Sequence, residues 1–161
     1  MKFSTRQDVD APIEAVFEAA CDFPRFERQA RRRGVKVQRA DQLPSPAPGM
    51  RWNVEFQYRK KLRSLRIELV ELEPPVLLRL QAASAGISAD FAAEVLALSP
   101  KRTRLKVGLE ITPKSLQARL LIQSLKFAKA NLDRRFAERV AKYGCDVENS
   151  YDPARALRPG V

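Results

Sequence analysis

The sequence predicts an α+β fold: a curved antiparallel sheet of about seven strands around a long C-terminal helix, with two short helices after the first strand. Three observations predict it. Apolar and polar residues alternate through most of the stretch from Val35 to Ile111. A helical apolar period follows Pro113 and runs to about Tyr143. Ahead of both, DAPIEAVFEAACDFPRF (10–26) punctuates two helices too short to be anything but a crossing between strands.

The elements follow in order. Phe3, Thr5, Gln7 and Val9 alternate with Lys2, Ser4, Arg6 and Asp8, a half-buried strand. Asp10 is a candidate cap for the first helix, with Pro12 in its first turn and Glu14 at its positive end. Ile13, Val16, Phe17 and Ala20 give that helix one apolar face. Pro24 ends it and opens a second helix over about 24–32, capped near Asp22, with Phe26 and Ala30 inward. VKVQR (35–39) is a short strand, and LPSPAPG (43–49) a turn-rich loop. Trp52, Val54, Phe56 and Tyr58 form one face of the next strand. Strands are expected over 64–72, 76–83 and 88–98. The last of these is ambiguous by propensity but bounded by turn signals. Leu105, Val107, Leu109 and Ile111 alternate cleanly in the final strand.

Ala118, Leu121, Leu125, Ala128, Leu132, Phe136 and Tyr143 form the sheet-facing stripe of the long helix, which Gly144 is expected to stop. Residues 1–143 thus make one domain, and 144–161 read as an extended or disordered tail. Leu116, Leu120 and Phe127 share a helix face nearly opposite the stripe. Either another part of the chain covers them, or they dock a second copy or a membrane.

Composition narrows the chemistry. A chain of 161 residues with 45% hydrophobic and 30% charged residues is a soluble globular domain. MKFSTRQDVD has no apolar core, so a cytoplasmic protein without a leader is expected. With no histidine, imidazole zinc sites and histidine-based nucleophilic or acid–base systems are impossible. The six glycines make no phosphate-binding loop, and Cys21 and Cys145 have no metal spacing. No metal, cofactor or catalytic residue is expected.

The net charge of +11 is clustered. Seven bases lie between Arg25 and Arg39 against Glu27 alone, five in RKKLRSLR (59–66) and four in KRTRLK (101–106). Such runs attract an anionic membrane surface, RNA or an acidic partner; a solvated surface is the competing reading. Arg31, Arg32 and Arg33 are the candidate anion surface, with Leu120 and Phe127 the candidate apolar one.

VDAPIEAVFEAACDFPRF, PGMRW, RIELVELEPPVLLRLQ and the long C-terminal helix together resemble the START-like (SRPBCC) superfamily, the polyketide cyclase/dehydrase and lipid transport group, across about residues 1–143. The resemblance implies a helix-grip fold with a cavity for a hydrophobic small molecule between sheet and helix. It carries no catalytic motif. Trp52, Phe56, Tyr58, Thr5, Gln7 and Leu125 are the candidate ligand-binding residues, and Tyr58 the one whose hydroxyl would hold a ligand oxygen. Ordinary packing competes for Trp52 and Phe56. Three function classes follow in rank order: a non-enzymatic carrier or binder of a lipid, quinone or polyketide-like molecule; a cyclase or dehydratase; and a basic RNA- or ribosome-associated module. A homodimer through the C-terminal helix is a further partner expectation.

Overall fold

The computed structural model describes residues 1–152. Strand β1 (Lys2–Val9) leads to helices α1 (Ile13–Ala20) and α2 (Phe23–Arg32). Strands β2 (Lys36–Arg39), β3 (Arg51–Tyr58), β4 (Lys61–Glu73), β5 (Leu77–Ser84), β6 (Ile87–Ser99) and β7 (Arg102–Pro113) follow. Helix α3 (Leu116–Leu125), a 3-10 turn (Lys126–Ala128) and helix α4 (Lys129–Tyr151) complete the chain. The strands form one antiparallel sheet in the order β1-β7-β6-β5-β4-β3-β2. The two short helices therefore carry the chain from one edge of the sheet to the other.

Register defines the inner face. Phe3, Leu109, Phe91, Leu80 and Leu69 make one row across five strands. Thr5, Val107, Ala93 and Leu78 make the next. A register shift between Leu69 and Glu71 lets Leu72, opposite Leu78, stay in phase with the core. Val9, Val16, Leu69 and Leu105 are fully buried, each worth about 1.5–3 kcal/mol of transfer free energy.

Four expectations need correction. Asp10 does not cap α1. Thr103 Oγ1 donates to Ala11 O at 2.7 Å, fixing the chain here, and the helix starts after an extended Pro12 with no side-chain cap. Asp22 does cap α2, accepting from Arg25 N at 3.3 Å. The expected long C-terminal helix is present, running without a gap from Leu116 to Tyr151, but the 3-10 turn within it shifts the phase of its buried face. Ala118 and Ile122 are buried in α3, and Val140, Gly144 and Val147 in α4, while Ala128 is exposed and Leu121 and Leu125 half-buried.

Gly144 does not stop the helix, which passes through it to Tyr151, so 144–151 are not tail. The glycine is there because α4 lies on β1. A Cβ at position 144 would stand 2.9 Å from Gln7 Cγ and 3.3 Å from Val9 Cγ2. The rest of the expected tail, 153–161, lies outside the described residues. No helix among the described residues is long and apolar enough to cross a membrane.

Candidate functional site

Between sheet and helices lies a cavity of about 500 Å3 whose wall is almost entirely carbon. Its floor is the inner sheet face, with Trp52, Val54, Ile67, Leu80, Phe91 and Ala93 among the lining. Phe23, Phe26, Glu27 and Ala30 of α2 close one side, and Phe136, Arg139, Val140 and Tyr143 of α4 the other. Helical spacing explains both sets, since side chains three and four apart share a helix face. A second depression of about 820 Å3 lies on the outer sheet face. Charges of both signs line it, Arg51, Arg66, Glu68 and Asp90 among them, so it does not compete as an apolar site.

Trp52 is held from three sides. Its Nε1 donates to Glu27 Oε1 at 2.8 Å, the Phe23 ring lies 5.0 Å away, and the Arg39 guanidinium stands 5.7 Å from its centroid. Arg39 is itself fixed by two hydrogen bonds to the Asp41 carboxylate, whose side chain is only 5% exposed. Asp41 also accepts from the backbone N–H groups of Leu43 and Arg51. The Arg39 hydrogen bonds hold its carboxyl well below the usual carboxylate range, and the two backbone donors push the same way. This lock organises the 40–51 loop beside the tryptophan.

Tyr143 contributes its ring to the wall and packs against Phe26 at 6.0 Å, bridging α2 and α4. Its hydroxyl is buried without a hydrogen-bond partner, and burial pushes its pKa above the ordinary range. Burial likewise pushes the Cys21 thiol up to about 11, which makes it a poor nucleophile. Among the described residues no cluster of His, Cys, Asp or Glu is placed to hold a metal.

Of the candidate ligand residues, only Trp52 lies in the wall. Thr5 and Gln7 face inward, but α4 covers them: Phe136 packs on Phe3 at 5.8 Å, and Gly144 sits on Gln7. Phe56, opposite Arg63, is half-buried and packs against the core outside the cavity wall, and Tyr58, opposite Lys61, is exposed. Leu125 ends α3, next to the 3-10 turn and outside the wall. Arg31 is partly structural, its Nη2 donating to Val37 O at 2.8 Å, while Arg32 and Arg33 remain exposed.

Sequence reasoning did not single out Glu27, Arg139 or Tyr143 for the site. Tyr143 was within reach as a hydroxyl on the core stripe. Nothing local marks Glu27, whose partner is 25 residues away.

The sequence matches no family model and no curated protein. Solved structures match over nearly the whole chain. The aromatase/cyclase ZhuI from Streptomyces sp. R1128 has a TM-score of 0.62 at 11% identity, covering 92% of this chain and 94% of that one. A norcoclaurine synthase from Thalictrum flavum, a point mutant in complex with a transition-state analogue, has 0.61 at 10%, covering 91% and 94%. A START superfamily protein from Mycobacterium smegmatis has 0.54 at 13%, covering 86% and 98%. The fold is thus the START-like helix-grip fold expected from the sequence.

Proposed function

We propose that the protein binds one hydrophobic or amphipathic small molecule, of the lipid, quinone or polyketide-like kind, and does so without transforming it. The observation that carries this reading is the carbon-walled cavity of about 500 Å3, a size ordinary for small-molecule sites. A cavity of this size costs stability when empty, because its lining lacks packing partners. An apolar ligand would restore those contacts. Tyr143 supports an amphipathic ligand, since it lines the cavity and its buried hydroxyl has no hydrogen-bond partner, which one polar ligand atom would supply.

A cyclase-type enzyme is the second reading. It calls for a pair of inward carboxylates or an inward lysine. The described lining has one carboxylate, Glu27, already accepting from Trp52. The carrier reading ranks first on that ground.

Native mass spectrometry of protein purified from its own host tests it. One apolar molecule per chain, released on unfolding, is the expected result. Chains that are folded, empty and unable to take up an apolar fluorescent probe would overturn the reading.

A further inference from the structure

One end of the sheet gathers features that the cavity does not use. There β3 ends and β4 begins, β5 ends and β6 begins, and β7 hands over to α3. Gly86, in the β5–β6 turn, lies directly under Ser115, which caps α3. Two segments dominate this end, the β3–β4 hairpin and α3 with its 3-10 turn.

Both segments are basic and neither contains an acid. Residues 56–67 (FQYRKKLRSLRI) carry five Lys or Arg, and residues 111–128 (ITPKSLQARLLIQSLKFA) carry three; Lys129, the next base, is paired with Asp133. Both also expose large apolar side chains. Phe127 is 97% exposed, Leu116 72% and Leu120 59%; on the hairpin, Leu62 is 60% and Tyr58 48% exposed. Isolated surface leucines need no explanation, but five large groups at one basic end do.

The hairpin tip adds an independent observation. Arg59 and Lys60 both have left-handed backbone, with φ of 52° and 61°. Two-residue hairpin turns of this kind favour Asn-Gly, and a long side chain there is unfavourable. The fold thus carries two bases at the tip of the β3–β4 hairpin, where neutral residues would fit better.

We infer that this end docks on an anionic membrane surface. Leu116, Leu120 and Phe127 enter the boundary between headgroups and acyl chains, and the hairpin bases meet lipid phosphates. Charge argues against a second copy of the chain. An isologous dimer would set these two basic segments against their own copies. RNA fits less well, because single-strand binding wants aromatic platforms among the bases, and three of the five exposed groups are leucines. The inference does not require the cavity to be filled.

The test is sedimentation of the full chain with vesicles of phosphatidylcholine, alone or mixed with phosphatidylglycerol. Binding to the mixed vesicles only, weakening as salt is raised, is expected. Replacing Arg59→Asn together with Lys60→Gly should weaken partitioning by roughly 25-fold, at about five-fold per base, while melting temperature rises by roughly 2–4 °C. Replacing Leu120→Ser together with Phe127→Ser should weaken it by roughly ten-fold or more without lowering the melting temperature. Phe127→Ser alone keeps the apolar test available if the pair disturbs folding. Equal binding to neutral vesicles, or retention by both pairs of variants, would overturn the inference. So would self-association abolished by the Leu120/Phe127 pair in the absence of vesicle binding, or RNA binding that responds to charge alone. Because the cavity can be probed separately, failure here would leave the carrier reading standing.

Discussion

Replacing Gly144→Ala separates two roles for a glycine near the end of a helix. If it were merely a weak point inside the helix, alanine would stabilise it by about 1 kcal/mol, whereas at a helix stop with left-handed backbone alanine would be strained. In the fold described here, the new methyl would stand 2.9 Å from Gln7 Cγ, about 0.6 Å inside ordinary carbon–carbon contact, and 3.3 Å from Val9 Cγ2. Val9 is fully buried and cannot retreat, and the Gln7 Cγ is the middle of a side chain, not its free end. Overpacking of this kind costs about 1–3 kcal/mol. Set against the helix gain, the net expected is a loss of about 1 kcal/mol. Urea unfolding should show a lower midpoint at unchanged slope. In a Gln7→Ala background the closest clash is gone, and Gly144→Ala should become neutral or stabilising. That difference is the coupling a double-mutant cycle reads. A full 1 kcal/mol of stabilisation in the native background would refute the close seating of α4 on β1, and with it the position of Tyr143 in the roof.

Two further predictions use the site's polar groups. Asp41→Asn should destabilise the protein at neutral pH. Because the folded carboxyl titrates well below its unfolded value of about 3.9, the wild-type advantage is present above that value and shrinks as pH falls toward the folded pKa; comparing the two unfolding curves from pH 7 downward checks it. Tyr143→Phe should hold or raise stability by about 1 kcal/mol in the empty protein, since it removes a buried hydroxyl with no partner, while changing which amphipathic ligands bind. A loss of stability on that change would reveal a partner for the hydroxyl.

The architecture was legible because the sheet declares itself twice, in alternation and in turn residues. Trp52 and Val54 could be placed on the inner face from their spacing alone, and both line the cavity. The same alternation misled at Tyr58, whereas Phe56 packs against the core, as the competing reading for it had it. A period of two says which face a residue takes, not how far along the strand the helical roof extends. Thr5 and Gln7 failed for a related reason, since α4 and its glycine occupy the space in front of them. The break at Lys126–Ala128 has no proline or glycine to mark it, so a continuous stripe was the natural reading. Glu27 and Arg139 became site residues only through tertiary neighbours, which no local pattern encodes.

The central claim is that the cavity takes up an apolar molecule, and the protein carries its own reporter. Trp52 is its single tryptophan and stands in the cavity wall, oriented by Glu27. Titrating the folded chain with an apolar or amphipathic ligand while recording tryptophan emission should give a change that saturates at one ligand per chain. Ala93→Phe, whose added ring enters the same space, should abolish the response without unfolding the protein. Emission that stays unchanged across lipid, quinone and aromatic polyketide ligands, in a chain shown to be folded, would contradict the account.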